Sequence, residues 1–169
     1  MNYIGSKHKL ASFLKTAINE VVGEDMSRLV FCDLFAGTGI VGRNFKPFVK
    51  QVIANDVEFY SYILNRNYIG NYKTITIEKE LAILNNLEGV EGFIFQNYCE
   101  NGSEGRLYFS SENGKKIDAM RQQIEAWKSA HKINEDTYYF LLASLIESAD
   151  KVANTASVYG AYLKKIKKS

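Results

Sequence analysis

Two aspartates and a cluster of glycines are spaced to do chemistry. Asp33 closes an apolar run, Leu29–Val30–Phe31–Cys32, and is followed by Leu34–Phe35–Ala36–Gly37–Thr38–Gly39. Asp56 lies 19 residues beyond Gly37, after a second apolar run, Val52–Ile53–Ala54, and Asn55. Glycines let a backbone turn tightly and come close to a ligand, and a carboxylate at the tip of the next strand can accept both hydroxyls of a ribose. The spacing fits the roughly 20 residues expected for a ribose-binding acid. These residues must be positioned by a strand, a glycine turn, a helix from Ile40 to about Phe48 and a second strand. That is the first βαβ half of a nucleotide-cofactor site.

The type of cofactor stays open on these residues. Gly37–Thr–Gly39–Ile–Val–Gly42 satisfies G-x-G-x-x-G literally, so an NAD-binding oxidoreductase of the Rossmann type is one reading. A pyrophosphate, however, favours bare N–H groups with no anion close by, and Asp33 sits four residues before Gly37. An acid there suits a cofactor with a cationic amino group, such as S-adenosylmethionine. A crossover that holds no ligand is the third reading.

The 169 residues are enough for one domain with a real core. A net charge of +2 makes no global demand for a nucleic-acid partner. The charge is uneven: beyond Lys151 the chain carries Lys164, Lys165, Lys167 and Lys168 with no acid, whereas Glu78–Glu104 is acidic. Read alone, those lysines are a solvated terminus. Cys32, in an expected buried strand, and Cys99, far away, make neither a disulfide framework nor a metal site, and His8 and His131 read as surface residues, so no metal is expected. Both cysteines read as reduced thiols in a cytoplasmic protein. The N-terminus lacks the apolar region of a signal peptide, and no apolar run approaches the length of a membrane span.

Around the central stretch, Ser6 can cap a helix with the apolar face Leu10, Phe13, Leu14, Ala17, Ile18 and Val21, stopped by Gly23. Helical patterns cover Glu58–Gly70, with Tyr60, Ile63 and Leu64 inward, and Glu78–Leu87, around Leu81 and Leu84. Gly92–Gln96 reads as a short strand and Asn101–Gly105 as a loop. The last third is helical: Ile117, Met120, Ile124 and Trp127 share one stripe, and Tyr138, Leu141, Leu142, Leu145, Ile146 and Ala149 another.

Tyr3-Ile-Gly-Ser-Lys7, Asp33-Leu-Phe-Ala-Gly-Thr-Gly39 and Asn55-Asp56 together resemble one family: the Dam-like (D12, alpha-order) DNA adenine-N6 methyltransferases, which use S-adenosylmethionine. Arg106-Leu-Tyr-Phe-Ser110, Lys116-Ile-Asp118, Ala153-Asn-Thr155 and Val158-Tyr-Gly-Ala-Tyr162 are similar to a bacterial restriction–modification branch of it. The resemblance implies that Tyr3 and Lys7 meet the methionine end of the cofactor. It also implies that Asp33, Phe35, Gly37 and Gly39 form the cofactor motif and that Asp56 is the ribose acid. In physical terms Lys7 would neutralise the methionine carboxylate, Asp33 would attract its ammonium and Phe35 would lie against the sulfonium. Core packing is the other reading of Phe35.

One departure stands out. The family's Asp/Asn-Pro-Pro-Tyr/Phe motif, which holds an extruded adenine, is impossible here, because Pro47 is the one proline of the chain. In the family's order that motif follows the region that ends at Ser169. The strand carrying it would neighbour the Leu29–Leu34 strand, whose edge is otherwise open. The expected fold is thus a partial Rossmann-like α/β methyltransferase fold with a helical C-terminal third. Residues 1–100 would bind S-adenosylmethionine, and 101–169 could share in target recognition.

The expected function is the cofactor-binding half of a site-specific methyltransferase acting on double-stranded DNA in a restriction–modification system. A second polypeptide would supply the Asp-Pro-Pro-Tyr-type catalytic half, and no catalytic residue is assigned to this chain. Lys151, Lys164, Lys165, Lys167 and Lys168 then become candidate phosphate contacts, which position DNA without reading it. An inactive DNA-binding fragment remains an alternative alongside the NAD-binding oxidoreductase.

Overall fold

The computed structural model describes residues 10–71, 73–156 and 161–166. Tyr3, Ser6, Lys7, His8, Lys167 and Lys168 lie outside the described residues. The chain divides into two compact units, the first ending at Lys73 and the second beginning at Thr74.

The first unit opens with α1 (Ala11–Val22), stopped at Gly23, whose φ of 86° only glycine adopts freely and whose N–H donates to Asn19 O at 2.8 Å. Its expected apolar stripe is not a core stripe here. No α1 residue is buried, and Phe13 and Val21 are 65% and 84% exposed. Strand β1 (Val30–Asp33) pairs in parallel with β2 (Gln51–Ala54), in the register Val30↔Gln51 to Asp33↔Ala54. Between them α2 (Ile40–Phe45) stops short of the expected Phe48. Pro47 has no N–H with which to continue the ladder.

Alternation decides which sheet face is covered. Phe31 stacks on Phe45 of α2 with ring centroids 4.5 Å apart, and a Cβ at Gly42 would come within 3.1 Å of Val52 Cγ1. The opposite face carries Val30, Cys32 and Ile53, all exposed. The expectation of a buried strand around Cys32 is therefore corrected. Among the described residues the sheet has two strands and helix α2 on one face, so the odd and even positions of β1 meet different surroundings. Helix α3 (Phe59–Asn65) follows β2 and passes into a π-helical turn, Arg66–Gly70, so the expected Glu58–Gly70 helix is present with its last turn widened. Ile63 and Leu64 are buried as their spacing predicts.

In the second unit, α4 (Glu78–Asn86) buries Leu84, whereas Leu81 is 46% exposed. The strand expected over Gly92–Gln96 is instead helix α5 (Phe93–Tyr98). The reason is a distant carboxylate. Asp118 Oδ1 accepts the Ile94 N–H at 3.0 Å and Oδ2 the Phe95 N–H at 2.8 Å, which satisfies two first-turn donors that a helix leaves orphaned. Helix α6 (Ser111–Ser129) is capped by Ser110 and α7 (Glu135–Val152) by Asn134, each accepting the N–H three residues on. They pack on each other through Ile124, Trp127, Tyr138, Leu141 and Leu142. Because α5 packs on α6, residues 74–100 belong to the same compact unit as the later helices. Among the described residues no helix is long and apolar enough to cross a membrane.

Candidate cofactor site

Parallel pairing puts the carboxyl ends of β1 and β2 side by side, and with them Asp33 and Asp56. Asp33 is in register with Ala54, two residues before Asp56. Asn55 laces the two strand ends together. Its N–H donates to Asp33 O at 2.8 Å, its carbonyl accepts the Ala36 N–H at 2.9 Å, and its Nδ2 donates to Leu34 O at 3.0 Å.

The glycine turn is built on this end of the sheet. Gly37 and Gly39 have φ of 52° and 75°, the left-handed region that disfavours a side chain. Gly39 is tight as well, since a Cβ there would stand 2.5 Å from Asn65 Oδ1. Asp56 Oδ2 accepts the Gly37 N–H at 2.8 Å and Oδ1 the Glu58 N–H at 3.1 Å. These backbone donors, Glu58 first and Gly37 next, hold the Asp56 carboxyl below its ordinary value. The Gly37 carbonyl is bound from below by the Ser61 hydroxyl and by Asn65 Nδ2, the latter at 3.1 Å.

Phe35 stands at this end 89% exposed, which excludes core packing. Asp33 is half-buried, its Oδ1 accepting the Phe35 N–H at 3.3 Å. Exposed Leu34, Val57, Phe59 and Tyr62 belong to the same loops and to the first turn of α3. The structure thus brings together Asp33, Phe35, Gly37, Gly39 and Asp56. Tyr3 and Lys7 lie outside the described residues. Asn55 lies in the Asn55-Asp56 motif, whereas Ser61 and Asn65 went unassigned. Their one signal is two short polar residues four apart on a helix that otherwise buries Ile63 and Leu64.

The C-terminal candidates fall elsewhere. Lys151 is exposed in the last turn of α7, and Lys164 and Lys165 are exposed just after Leu163, whose N–H donates to Asn154 O at 2.9 Å. Asn154 is 2% exposed, and its Nδ2 donates to Leu107 O at 2.8 Å and Leu163 O at 3.0 Å. The Tyr108 and Tyr162 rings meet edge to face at 5.0 Å. Three motifs of the last third (Arg106–Ser110, Ala153–Thr155 and Tyr162) therefore form one clasp at the end of α7. Lys167 and Lys168 lie outside the described residues. Among the described residues no group of three His, Cys, Asp or Glu side chains is placed to hold a metal ion.

A mixed helix–strand chain with a small parallel sheet, and a glycine turn and two acids at its carboxyl end, is consistent with an α/β methyltransferase fold. The family model for the D12 class N6 adenine-specific DNA methyltransferases matches residues 3–169, and the chain belongs to that family. It is similar to the Type II methyltransferase M.NlaIII of Neisseria lactamica, 65% identical over 170 residues that cover 100% of this chain and 51% of the relative. It is 41% identical to Type II methyltransferase M.FokI of Planomicrobium okeanokoites, over 97% of this chain and 27% of the relative. Type II methyltransferase M.CviAII of Paramecium bursaria Chlorella virus 1 is 36% identical over 100% of this chain and 51% of the relative. The chain thus spans about half, or about a quarter, of the length of the curated relatives it matches. No solved structure matches it.

Proposed function

We propose that this chain is the S-adenosylmethionine-binding part of a site-specific DNA adenine-N6 methyltransferase of a restriction–modification system. The observation that carries the reading is the convergence of Asp33, Phe35 and Asp56 on one formed glycine turn at the carboxyl end of adjacent parallel strands. The donor set fits the cofactor. Asp56 uses one lone pair of each oxygen on backbone N–H groups, and a carboxylate has two more to offer a ribose. Its lowered pKa keeps it an ionised acceptor at neutral pH. Asp33 supplies an anion for the ammonium end of the methionine, and the open face of Phe35 an aromatic surface for a sulfonium. Tyr3 and Lys7, by their place in the family's N-terminal motif, serve the methionine end, where Lys7 neutralises the carboxylate. The cofactor, when bound, supplies a sulfonium methyl group for transfer to the exocyclic nitrogen of adenine. Nothing in the family match favours the nicotinamide alternative.

The base pocket belongs to a second polypeptide in this reading. Two surfaces support that. A parallel sheet is ordinarily covered on both faces, yet Val30 and Ile53 are 51% and 45% exposed, and β1 pairs with β2 alone among the described residues. The apolar face of α1 is also incompletely covered, with Phe13 and Val21 exposed. Lys151, Lys164, Lys165, Lys167 and Lys168 are proposed as phosphate contacts to double-stranded DNA, and residues 101–169 as a share of the target-recognition surface.

Calorimetric titration of S-adenosylmethionine tests the proposal. Binding is expected, and Asp56→Ala is expected to weaken it by about 1–3 kcal/mol, the cost of unpairing buried polar groups. No binding, either to this chain or to its complex with the polypeptide carrying the base pocket, would overturn the reading.

A further inference from the structure

We infer that Ser61 and Asn65 are positioning residues that hold the glycine turn in its ligand-ready shape, an inference that rests on the cofactor reading above. The backbone of Gly37 is gripped on both sides. Its N–H goes to Asp56 Oδ2 at 2.8 Å, and its carbonyl accepts the Ser61 hydroxyl and Asn65 Nδ2. Asn65 is itself fixed, since Nδ2 also donates to Ser61 O at 2.8 Å. Both side chains are out of water: Ser61 is 0% and Asn65 8% exposed.

The other end of the Asn65 amide shows what the grip is for. Asn65 Oδ1 is buried and has no hydrogen-bond partner among the described residues. It lies beside Gly39, where a Cβ would stand 2.5 Å away. An unmet buried acceptor costs stability, and the amide bears that cost while its Nδ2 serves the Gly37 carbonyl, which an apolar pair at 61 and 65 would leave without these donors. Rotating the amide would not help, because Oδ1 would then face the carbonyls of Gly37 and Ser61. A packing role alone does not call for such an arrangement. Holding a left-handed glycine turn open before a ligand arrives does, because a turn already ordered does not lose that entropy on binding. The same grip couples the turn to Asp56, so that one carboxylate sets both the loop and the ribose position.

The test uses the full chain, S-adenosylmethionine calorimetry and thermal melts on wild type, Ser61→Ala and the isosteric Asn65→Asp. Relative to wild type at the same pH, Ser61→Ala is expected to bind about 3–10-fold more weakly and Asn65→Asp at least about 10-fold more weakly at pH 7.5, the loss of one or more buried hydrogen bonds. The Asn65→Asp deficit is expected to shrink towards pH 5.5, because a protonated carboxyl regains the proton to give to Gly37 O. Variants that melt lower but bind with wild-type affinity, or a deficit that does not change with pH, would reduce the pair to packing and overturn the inference while leaving the cofactor reading intact. A wild-type chain that binds no S-adenosylmethionine would remove the reading and the inference together. Should the variants fail to fold, hydrogen exchange on the wild-type chain without ligand decides. Gly37 and Gly39 amides, bonded to Asp56 and Ala36 O, that are protected without ligand show the turn ordered in advance as the inference requires, and exchange at the rate of an open peptide overturns it.

Discussion

Asp56 makes two backbone hydrogen bonds that titrate together. Its carboxylate bonds to the backbone of Glu58 and Gly37, so its folded pKa lies below the ordinary 3.8. The native state then binds fewer protons than the unfolded chain, and the contribution is present above the unfolded value and lost as pH falls through the lowered one. Asp56→Asn is expected to flatten the acid limb of stability below about pH 4 in urea titrations, with little change at neutral pH beyond the altered hydrogen bonds. The cysteines separate by environment. Burial first, then the charges of Asp118 and Glu100, push the Cys99 thiol up to about 11. It is also walled in by Gly114, where a Cβ would stand 2.0 Å from its sulfur. Cys32 is exposed on the bare face of β1. A thiol reagent at pH 8 is expected to label one cysteine in the folded chain and both in denaturant; mass mapping of the label to Cys99 would contradict the fold.

Between elements, α6 and α7 are joined by more than apolar contact. The Tyr138 hydroxyl donates to Glu125, which also pairs with Arg121 one turn earlier on α6. Burial, and next the bond to Glu125, push Tyr138 up to about 12 from an ordinary 10. Here the native state holds the proton more tightly. The contribution is complete below about pH 10 and lost as pH rises through 12. Tyr138→Phe is expected to cost about 1 kcal/mol at neutral pH, since it removes a hydrogen bond to a carboxylate. It should also lessen the fall in stability between pH 10 and 12, to which Cys99 contributes as well; an unchanged alkaline limb would show that the pair carries no such weight. The helices themselves were legible, because their stripes recur at 3.6 residues and Ser110 and Asn134 are cap residues. Helix α5 was not: Gly92–Gln96, with two Phe and an Ile, reads as strand until Asp118, more than twenty residues on, supplies the cap.

Taken whole, the first unit presents apolar surface where a parallel sheet wants a second layer. Phe13, Val21, Val30 and Ile53 are open, and so are Phe35 and Val57 beyond the carboxyl ends of the strands. If a second polypeptide carries the base pocket, the purified chain is expected to transfer no methyl group to DNA in a labelled-methyl assay. Adding a polypeptide with a Pro-Pro-Tyr/Phe segment should restore transfer. Turnover by the chain alone would end the two-polypeptide reading, and no turnover in the complex would favour an inactive DNA-binding chain.

Short-range patterns settled much in advance. A glycine turn between two apolar runs, an acid 19 residues on and helical stripes in the last third follow from steric and periodic rules that act over a few residues. So did the family, since its motifs are local strings. Only tertiary contact decided that Asp56 bonds to Gly37, that Ser61 and Asn65 grip the turn, that Phe35 stands open and Cys32 exposed, and that α5 is a helix. Each depends on what a side chain meets across the fold, and neither spacing nor composition carries that information.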